Sequence, residues 1–499
     1  MPLSIRAAAR IKPSPRQLAW QSLEFYAFIH FTVNTFTDRE WGLGDESPSL
    51  FNPSDLDARQ WAEACKAAGM KGLILTCKHH DGFCLWPSSV TEHSVKNSPW
   101  RGGQGDLVRE VSDACREAGL KFGIYLSPWD RHEPSYGDSD AYNEYFVHQL
   151  TELLTGYGEL FSVWFDGACG EGPNGKRQVY DWDRYYAVIR ELQPGAVISV
   201  CGPDVRWCGN ETGHTRASEW SVVPTSLQDN EKIQAKSQTE DDGSFAGRIN
   251  SDEDDLGSRS IIEQAEVLVW YPAEVNTSIR PGWFYHASED NQVKSAEELM
   301  ELYERTVGGN SALLLNLPPD RRGRIHEQDV RSLAGLGARI RALYSRNLAA
   351  GAAAKASASL DAEHGPQLAV SGLAADGSGA DGGGWSAPEG TEQAELEVDL
   401  GSAQTFNRIV LQEPIAQGQR IEAFRIEVLE DNLPEGELPE DAAAHWKTIY
   451  EGTVIGHKHI CRFPAITARH LRLVIEQSRW CPALQNFAVY HYDFQPDEI

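Results

Sequence analysis

The sequence predicts an α/β protein: a (β/α)8-type barrel followed by a C-terminal β-sandwich of the jelly-roll kind. Two observations support this. Over roughly the first 330 residues, short apolar runs of strand length alternate with amphipathic helical segments, and strands separated by helices are typical of a parallel sheet. Further along, short segments of alternating polar and apolar residues follow one another without helices between them, which is typical of a sandwich.

The alternation in the first part can be followed element by element. In "GDLVREVSDACREAG", for example, Asp106 begins a helix and Gly119 follows its end. So many strand and helix units favour a closed barrel over an open sheet. The predicted strands are 25–31, 72–77, 121–127, 159–167, 196–202, 267–272 and 311–319, and the predicted helices between them are 55–69, 105–119, 142–157, 182–195 and 295–309.

A change in composition marks the domain boundary. The stretches "AAGAAAKASAS" and "AADGSGADGGGWS" consist largely of small residues and glycine, which is typical of flexible connections. We therefore predict a catalytic barrel over 1–345 and a β-sandwich over 346–499. The predicted strands of the sandwich are 394–400, 406–414, 423–430, 446–452, 459–466, 470–477 and 484–492.

Composition and charge exclude several classes of protein. The 73 acidic residues outnumber the 45 basic ones and give a formal net charge of −28, which disfavours nucleic acid and anionic membranes as partners. The nine cysteines are scattered without a CxxC pair, so they suggest no zinc site and fit a reducing compartment. No secretory signal and no apolar run of about 18 residues is evident. We expect a cytoplasmic protein that is not bound to a membrane.

Polar and aromatic side chains recur where the predicted barrel strands end. The carboxyl ends of the strands share one face of a barrel, and active sites are built there. Strand ends that together carry His, Tyr, Trp, Asp and Glu indicate a pocket. The strand ends and the loops after them supply His30, His79, His80, Asp81, Tyr125, Trp129, Asp130, Trp164, Asp166, Asp204, Trp207 and Glu211; an early loop adds Glu40 and Trp41, and a late loop, "WYPAEVNTSIRPGWFYH", adds Glu274 and Trp283.

Asp166 has two interpretations. It ends the apolar run "LFSVWF" and precedes Gly167, and Asp-Gly is a common turn pair, so Asp166 could open a turn or cap a helix. Because the run reads as a barrel strand, Asp166 would instead lie at the tip of that strand and point into the shared pocket. We favour the second interpretation.

The residue types indicate sugar chemistry rather than metal or phosphate chemistry. Adjacent strand residues such as His79 and His80 point to opposite faces, and no spacing supplies further metal ligands, so we expect no metal. No phosphate-binding loop or dinucleotide fingerprint follows the early strands. Imidazoles bond ring hydroxyls, indoles stack on the apolar face of a pyranose, and two carboxylates cleave a glycosidic bond.

Five segments carry a resemblance to a known family. "FIHF", "KHHDGFCLW", "YLSPWD", "VWFDG" and "LLLNLPPD" together resemble the α-L-fucosidases of glycoside hydrolase family 29, over about residues 15–345. The resemblance implies a retaining mechanism, no metal or other cofactor, and a nucleophile at the Asp of "VWFDG", which is Asp166. It also implies a set of fucose-binding positions: His30, Glu40, Trp41, His79, His80, Tyr125 and Trp164.

Two glutamates are candidates for the acid/base residue. Glu211 in "RWCGNETG" lies in a segment that looks like the acid/base segment of the α-1,3/1,4-specific subfamily, whereas Glu219 in "ASEW" could line the aglycone site or orient a neighbour. We favour Glu211, because a flexible loop can bring its carboxyl close to the nucleophile, with Trp207 covering it. The segment "YPAEVNTSIRPGWFYH" looks like the same subfamily, so we expect Glu274 and Trp283 to border the fucose or aglycone subsite.

The resemblance therefore predicts a retaining exo-α-L-fucosidase that removes α-1,3/1,4-linked fucose from branched, Lewis-type glycans. Another retaining exo-glycosidase on the same barrel, or a catalytically inactive carbohydrate-binding protein, are the alternatives. The partner is a fucosylated oligosaccharide, and the sequence does not give the oligomeric state.

The sandwich resembles modules appended to glycosidases, so it is a scaffold or a sugar-binding domain. The acidic stretch 239–259 is a solvated loop or a lid.

Overall fold

The barrel forms as predicted, from eight parallel strands. The computed structural model describes residues 4–237, 255–372, 383–429 and 445–494. The first ten strands are β1 (Phe25–Ile29), β2 (Gly72–Lys78), β3 (Lys121–Leu126), β4 (Ser162–Phe165), β5 (Val197–Val200), β6 (Arg206–Trp207), β7 (Val222–Pro224), β8 (Leu268–Trp270), β9 (Ala273–Ser278) and β10 (Ser311–Asn316). Eight of them form one sheet in the order β5-β4-β3-β2-β1-β10-β9-β6. A parallel bridge between Ser199 and Val205 brings the two edges together, so the barrel is nearly closed.

The predicted helices form around this barrel and begin and end where their sequences indicate. The Asp106 side chain accepts a hydrogen bond from the amide of Arg109 at 2.9 Å, and Gly119 ends the same helix in the left-handed conformation at φ 73°. The helices are α1 (Ile5–Ala8), α2 (Pro15–Gln21), α3 (Val33–Thr37), α4 (Ala58–Ala67), α5 (Leu107–Ala118), α6 (Ser139–Gly156), α7 (Trp182–Leu192), α8 (Asn230–Lys236), α9 (Arg259–Gln264), α10 (Ala296–Thr306) and α11 (Glu327–Leu343).

The second half of the barrel departs from the prediction. The apolar run 267–272 contributes β8, which pairs only with β7 in a separate two-stranded sheet. The barrel strand is the next segment, β9, which the sequence pattern predicts as part of a loop. Its polar residues Glu274, Asn276 and Ser278 alternate with Ala273, Val275 and Thr277. In addition, β5 and β6 follow each other without a helix between them.

Two layers of apolar side chains hold the barrel, because alternate strand residues face opposite sides. Residues such as Phe28, Tyr125 and Trp164 pack in a cluster of inward-facing side chains. Their neighbours, such as Ile29 and Ile124, pack in the larger cluster that includes residues of the helices. The inward aromatic layer closes the barrel from below and forms the floor of the site.

The C-terminal part is antiparallel, as predicted. Its strands are β11 (Ala353–Ala356), β12 (Trp385–Ser386), β13 (Ala394–Gln412), β14 (Ile421–Leu429), β15 (Trp446–Gly452), β16 (His459–Ser478), β17 (Ala483–Leu484) and β18 (Asn486–Tyr490). The main sheet has the order β11-β13-β16-β14-β15, with β18 also paired to β13. Four predicted strands merge into two long ones, because 394–400 and 406–414 together correspond to β13, and 459–466 and 470–477 to β16. Strand β11 lies within "AAGAAAKASAS", whose small residues predict a flexible connection.

Buried ion pairs join the two parts. Glu24, which precedes β1, pairs with Lys458 at 2.6 Å, and both side chains are buried. Glu304 on α10 pairs with Arg408 on β13 at 2.5 Å. The C-terminal domain is therefore fastened to the barrel by charges removed from water. Most of the acidic stretch 239–259 lies outside the described residues.

Candidate active site

One cavity lies at the carboxyl ends of the barrel strands, where the sequence predicts a pocket. It is partly enclosed by side chains and opens to solvent. Its walls combine carboxylates, imidazoles and indoles. The lining residues are Phe28, His30, Trp41, His79, His80, Trp164, Asp166, Gly167, Ala168, Val200, Trp207, Glu211, Ser237, Asn276 and Trp283.

Asp166 directly follows β4 and lies in this cavity with about a quarter of its side chain exposed (24%). The hydroxyl of Tyr125 donates to Oδ2 at 2.9 Å, and the amide of Ala168 donates to Oδ1 at 2.8 Å. Burial raises the pKa of Asp166 above its ordinary value, while these two hydrogen bonds oppose the rise. The carboxylate is therefore oriented by two donors, and it remains open to a ligand.

Glu211 lies in the loop after β6, on the wall of the same cavity. Trp283 Nε1 lies 3.4 Å from its Oε2. Burial, followed by the negative charge of Asp166, raises the pKa of Glu211 to about 8. A carboxyl with such a pKa is protonated at neutral pH, whereas the hydrogen bonds from Tyr125 and the Ala168 amide favour the ionised form of Asp166. This is the division that separates a general acid from a nucleophile.

Glu219, the alternative acid, lies elsewhere. It does not line the cavity, and its side chain is almost fully buried. Arg206 donates to one of its oxygens, and the amide of Arg216 donates to the other at 3.1 Å. Glu219 is therefore held in a structural ion pair and has no access to a ligand in the cavity.

The three cavity histidines are buried, and hydrogen bonds fix the tautomers of two of them. Asn316 donates through Nδ2 to Ser278 and to the Trp283 carbonyl, so its Oδ1 accepts the 2.8 Å bond from His30 Nδ1. This leaves His30 Nε2 as an acceptor. Burial lowers the pKa of His30 to about 4, so the ring is neutral.

His80 follows the same rule. Ser127 donates its hydroxyl to the Trp129 carbonyl at 2.7 Å, so it accepts from His80 Nδ1 at 2.8 Å. Burial lowers the pKa of His80 to about 3, and its Nε2 lies 3.7 Å from Asp166 Oδ2. Burial likewise lowers the pKa of His79, whose Nδ1 has no hydrogen-bond partner among the described residues. These rings present acceptors to a neutral polar ligand such as a sugar hydroxyl.

Indole rings form the apolar walls of the cavity. Trp164 donates Nε1 to Glu274 at 2.8 Å, and Trp207 donates Nε1 to Asn276 at 2.7 Å. Trp41 and Trp283 complete the set of tryptophans that line the cavity. Because the N–H groups of Trp164 and Trp207 are bonded to the protein, these two rings offer a ligand their apolar faces.

Three predicted site residues support the cavity from behind and do not line it. Tyr125 orients Asp166. Glu40 accepts hydrogen bonds from the amides of Trp283 at 2.8 Å and Phe284 at 3.0 Å, and it thereby holds the loop after β9. Glu274 accepts from Trp164 and Tyr26, and burial raises its pKa to about 7. We expected Glu274 to border a subsite, but its place on β9 puts it beneath the Trp164 ring.

Three further aspartates of the predicted strand ends have structural partners. Asp204 accepts from the amide of Ile198 at 2.8 Å and pairs with Arg190. Asp130 pairs with Lys78 at 2.9 Å, and Asp81 accepts from the amide of Phe83 at 2.8 Å. None of the three lines the cavity. Position at a strand end is therefore not sufficient, since a partner can turn the carboxylate away.

Asn276 and Phe28 line the cavity but are not among the predicted site residues. Asn276 lies in a segment whose polar residues predict a loop, although the alternation in "AEVNTS" is typical of a strand. Phe28 lies on β1, two residues before His30, which directly follows the strand, and that spacing places both on one face. Within the described ranges no group of three or more His, Cys, Asp or Glu side chains is placed to bind a metal ion. Nor is any described helix long and apolar enough to cross a membrane.

The cavity at the end of the barrel holds two carboxyls of different pKa between walls of indole rings. This arrangement is typical of a glycoside hydrolase. The model of the alpha-L-fucosidase family matches residues 15–342, and the model of the F5/8 type C domain matches residues 353–485. The chain belongs to the alpha-L-fucosidase family.

Individual relatives agree with this assignment. Alpha-L-fucosidase 1 of Arabidopsis thaliana is 40% identical and aligns with 96% of this chain and 87% of its own length. A family 29 fucosidase of Ruminococcus gnavus, solved in complex with fucose, is 31% identical with a TM-score of 0.81, over 99% of this chain and 96% of that one. A protein of Bacteroides ovatus with a known crystal structure is 45% identical to this chain. The two structures superpose with a TM-score of 0.81, over 99% of this chain and 76% of that one.

Proposed function

We propose that this protein is a retaining exo-α-L-fucosidase that removes α-1,3- or α-1,4-linked fucose from branched, Lewis-type glycans. Membership of the alpha-L-fucosidase family supports the activity. The observation that carries the mechanism is the pair Asp166 and Glu211. Both line one cavity, and the charge of Asp166 helps to raise the pKa of Glu211 to about 8. A retaining glycosidase needs this combination of one ionised and one protonated carboxyl.

In the first step, ionised Asp166 attacks the anomeric carbon of fucose, and the bond from that carbon to the glycan oxygen breaks. Glu211 donates its proton to the departing oxygen, so the glycan leaves as an alcohol. The product on the enzyme is a β-fucosyl ester of Asp166. Tyr125 and the Ala168 amide hold the attacking carboxylate in place through the hydrogen bonds described above.

In the second step, Glu211 is ionised and acts as the base. It removes a proton from water, which attacks the same anomeric carbon from the opposite face, and the Asp166 carboxylate leaves. Two inversions give α-fucose. The Glu211 proton is restored, and the cycle can begin again.

The cavity suits a single terminal sugar. Phe28 and Trp164 pack edge to face at 5.1 Å and close the floor, so a chain cannot pass through. The acceptor atoms of His30 and His80 face hydroxyl donors, and fucose carries no charge that would require an ionic partner. These features support an exo-acting enzyme.

The linkage preference rests on the segments around Glu211. "RWCGNETG" and "SIRPGWFYH" resemble those of the α-1,3/1,4-specific subfamily, and both contribute to the cavity through Trp207, Glu211 and Trp283. These residues lie on the side where the leaving glycan receives its proton. A branched GlcNAc would therefore meet two indole faces.

Hydrolysis of three substrates tests the proposal. We expect cleavage of an aryl α-L-fucoside, and faster cleavage of Lewis a or Lewis x trisaccharide than of 2'-fucosyllactose. Proton NMR of early products should show α-fucose before mutarotation. Failure to cleave any fucoside would contradict the activity, β-fucose as the first product would contradict retention, and preference for 2'-fucosyllactose would contradict the linkage assignment.

A further inference from the structure

We propose that the C-terminal domain positions the acid/base residue Glu211, through a relay that runs from His457 to Asn310 to Glu219 and then to the acid loop. The inference rests on the proposed role of Glu211. It assigns the second domain a part in the reaction that needs no sugar-binding site. We call residues 208–214 the acid loop and residues 215–221 the anchor segment.

The acid loop is short and internally bonded. Asn210, which is fully buried, accepts from the Thr212 amide at 3.1 Å and donates to the His214 carbonyl at 2.9 Å. These bonds fix the turn from which Glu211 extends, but they lie inside the loop. Its position relative to the barrel must come from other contacts.

The anchor segment supplies those contacts. Arg216 donates to the Cys208 carbonyl at the start of the acid loop, at 2.9 Å, and to Glu219 Oε2 at 3.5 Å. Glu219 in turn pairs with Arg206 on β6. The start of the acid loop also bonds directly to β9, because the Cys208 amide donates to the Glu274 carbonyl at 2.9 Å. The far end of the loop is tied to β6 through the Glu219 carboxylate.

Asn310 connects the backbone of Glu219 to the second domain. Its Nδ2 donates to the Glu219 carbonyl at 2.8 Å, and its Oδ1 accepts from the His457 amide at 2.7 Å. The Asn310 amide also donates to the Lys458 carbonyl at 3.1 Å. A Cβ added at Gly456 would collide with the Asn310 side chain, so the amide is enclosed by the C-terminal domain.

The conformation of Asn310 is also specific. Its φ of 62° is in the left-handed region, which asparagine and glycine enter at a lower cost than other residues. The side chain is buried, and both of its functional groups are bonded. Asn310 is therefore placed to connect the anchor segment and the second domain, and glycine can replace it without backbone strain.

Two further contacts from the C-terminal domain reach the anchor segment directly. Thr453 donates to the Ala217 carbonyl at 3.0 Å and accepts from Ser218 at 2.9 Å. Gln419, which is fully buried, accepts from the Ser221 amide at 2.8 Å. The C-terminal domain thus holds residues 217–221 of the anchor segment at three points: through Thr453, through Gln419 and, by way of Asn310, through His457.

The barrel explains why outside support is needed here. Elsewhere, most strands are followed by a helix that packs on them, whereas residues 208–221 after β6 contain no helix. The loop that carries Glu211 therefore lacks the usual packing partner of a barrel strand. The C-terminal domain takes the place of that helix.

The test compares kcat and KM for a Lewis trisaccharide, which has a poor leaving group, with those for a dinitrophenyl fucoside, whose leaving group needs no proton. The variants are Asn310→Gly and Thr453→Val. Since a misplacement of about 1 Å can cost about 100-fold in rate, we expect Asn310→Gly to lower kcat/KM on the trisaccharide about 10-fold or more, with little change in kcat/KM on the dinitrophenyl substrate. We compare kcat/KM because it reports the first step, whereas the second step needs Glu211 as base whichever group has left. The alkaline limb of kcat/KM should move to lower pH, because a displaced Glu211 is less buried.

Thr453→Val should act in the same direction by a smaller factor, and it keeps the test independent of any folding defect, because Thr453 is exposed. Arg408→Met is the matched control, since it breaks a contact between the domains that does not touch the anchor segment. It should lower stability and leave both the substrate ratio and the alkaline limb unchanged.

Glu211→Gln separates the two hypotheses. Suppose that Glu211→Gln selectively loses activity on the trisaccharide. If neither Asn310→Gly nor Thr453→Val then changes the ratio of kcat/KM between the two substrates or the alkaline limb, the positioning role is wrong. If the effect of Glu211→Gln does not depend on the leaving group, the acid/base assignment itself is wrong, and the relay has no catalytic residue to position.

Discussion

Two carboxyls in one cavity are driven apart in pKa by their partners. Asp166 has two hydrogen-bond donors that favour its ionised form, the Tyr125 hydroxyl and the Ala168 amide. Glu211 has one long contact, to the Trp283 indole, and is otherwise desolvated beside a negative charge. The same functional group thus takes two roles because of its surroundings.

The roles can be separated by the stereochemistry of azide products. In Glu211→Ala, azide attacks the β-fucosyl ester of Asp166, so we expect α-fucosyl azide and restored turnover of an aryl fucoside. In Asp166→Ala, azide attacks the substrate directly, so we expect β-fucosyl azide. Without azide, Asp166→Ala should lose nearly all turnover and keep its fold by circular dichroism. Proton NMR distinguishes the two azides, and the same anomer from both variants would contradict the assignment.

The pH profile gives a second prediction at this scale. Because Glu211 must be protonated in the first step and has a pKa of about 8, kcat/KM should fall as pH rises through that value. Glu211→Gln should remove this limb, because an amide does not titrate. A wild-type profile that stays flat to pH 10 would contradict the role.

The same pKa has a consequence for stability. The folded pKa is raised above the ordinary value of 4.5, so the folded state is disfavoured increasingly as pH rises from 4.5 to about 8. Glu211→Gln should therefore raise Tm relative to wild type at pH 9 and have a smaller effect at pH 4.5.

At the scale of elements, the early strands and helices were predictable because their apolar residues are continuous or periodic. Strand β9 was not, because its inward side chains are the polar groups of the site, including Glu274 and Asn276. The apolar run 267–272 has a clearer strand pattern than β9, and the prediction that it forms the barrel strand was wrong. A strand that lines a polar cavity loses the pattern by which strands are recognised.

The site followed the same division. Asp166 and the histidines could be placed from the sequence because they end recognisable strands. The supporting roles of Glu40 and Glu274 depend on contacts between distant segments, such as Glu40 with the Trp283 amide. Sequence spacing does not encode such contacts.

The end of β2 carries a buried charge whose removal should be costly. Lys78 is fully buried and pairs with Asp130 at 2.9 Å, directly before His79. Burial raises the pKa of Asp130, but the charge and hydrogen bond of Lys78 outweigh it and hold the pKa below its ordinary value. Lys78→Met should cost about 3–5 kcal/mol in the free energy of unfolding, because it leaves a buried carboxylate without its cation.

Chemical denaturation at pH 7 measures this cost. Asp130→Asn added to Lys78→Met should recover part of it, since the amide oxygen can still accept the two backbone hydrogen bonds of Asp130. Lys121→Met is the control, because its pair with Glu159 is exposed and should be worth about 0–1 kcal/mol. Equal losses for the two lysines would contradict the argument.

At the scale of the whole molecule, the two domains behave as one structure. The C-terminal domain contacts the start of β1 through Glu24, helix α10 through Glu304, and the anchor segment through Thr453. Because these contacts are buried or lie near the site, we expect the barrel to depend on the second domain for stability as well as for the position of Glu211.

The pair of Glu24 and Lys458 makes this dependence measurable. Burial raises the pKa of Glu24, but Lys458 and then His457 outweigh it, so the pKa lies at about 2. A carboxyl whose folded pKa is lowered stabilises the fold at pH values above its ordinary pKa of 4.5, and that stability is lost as pH falls through about 2.

Lys458→Met should therefore lower the free energy of unfolding at pH 7 by about 3–5 kcal/mol. Without Lys458, burial should raise the pKa of Glu24 above 4.5. The difference from wild type should therefore already shrink as pH falls from 7 to 4, because protonation of Glu24 removes the uncompensated charge. Urea unfolding followed by tryptophan fluorescence at pH 7 and pH 4 checks this. Lys232→Met, whose pair with Asp229 is exposed, should show neither effect, and a loss for Lys458→Met that is independent of pH would mean that packing, not charge, joins the domains.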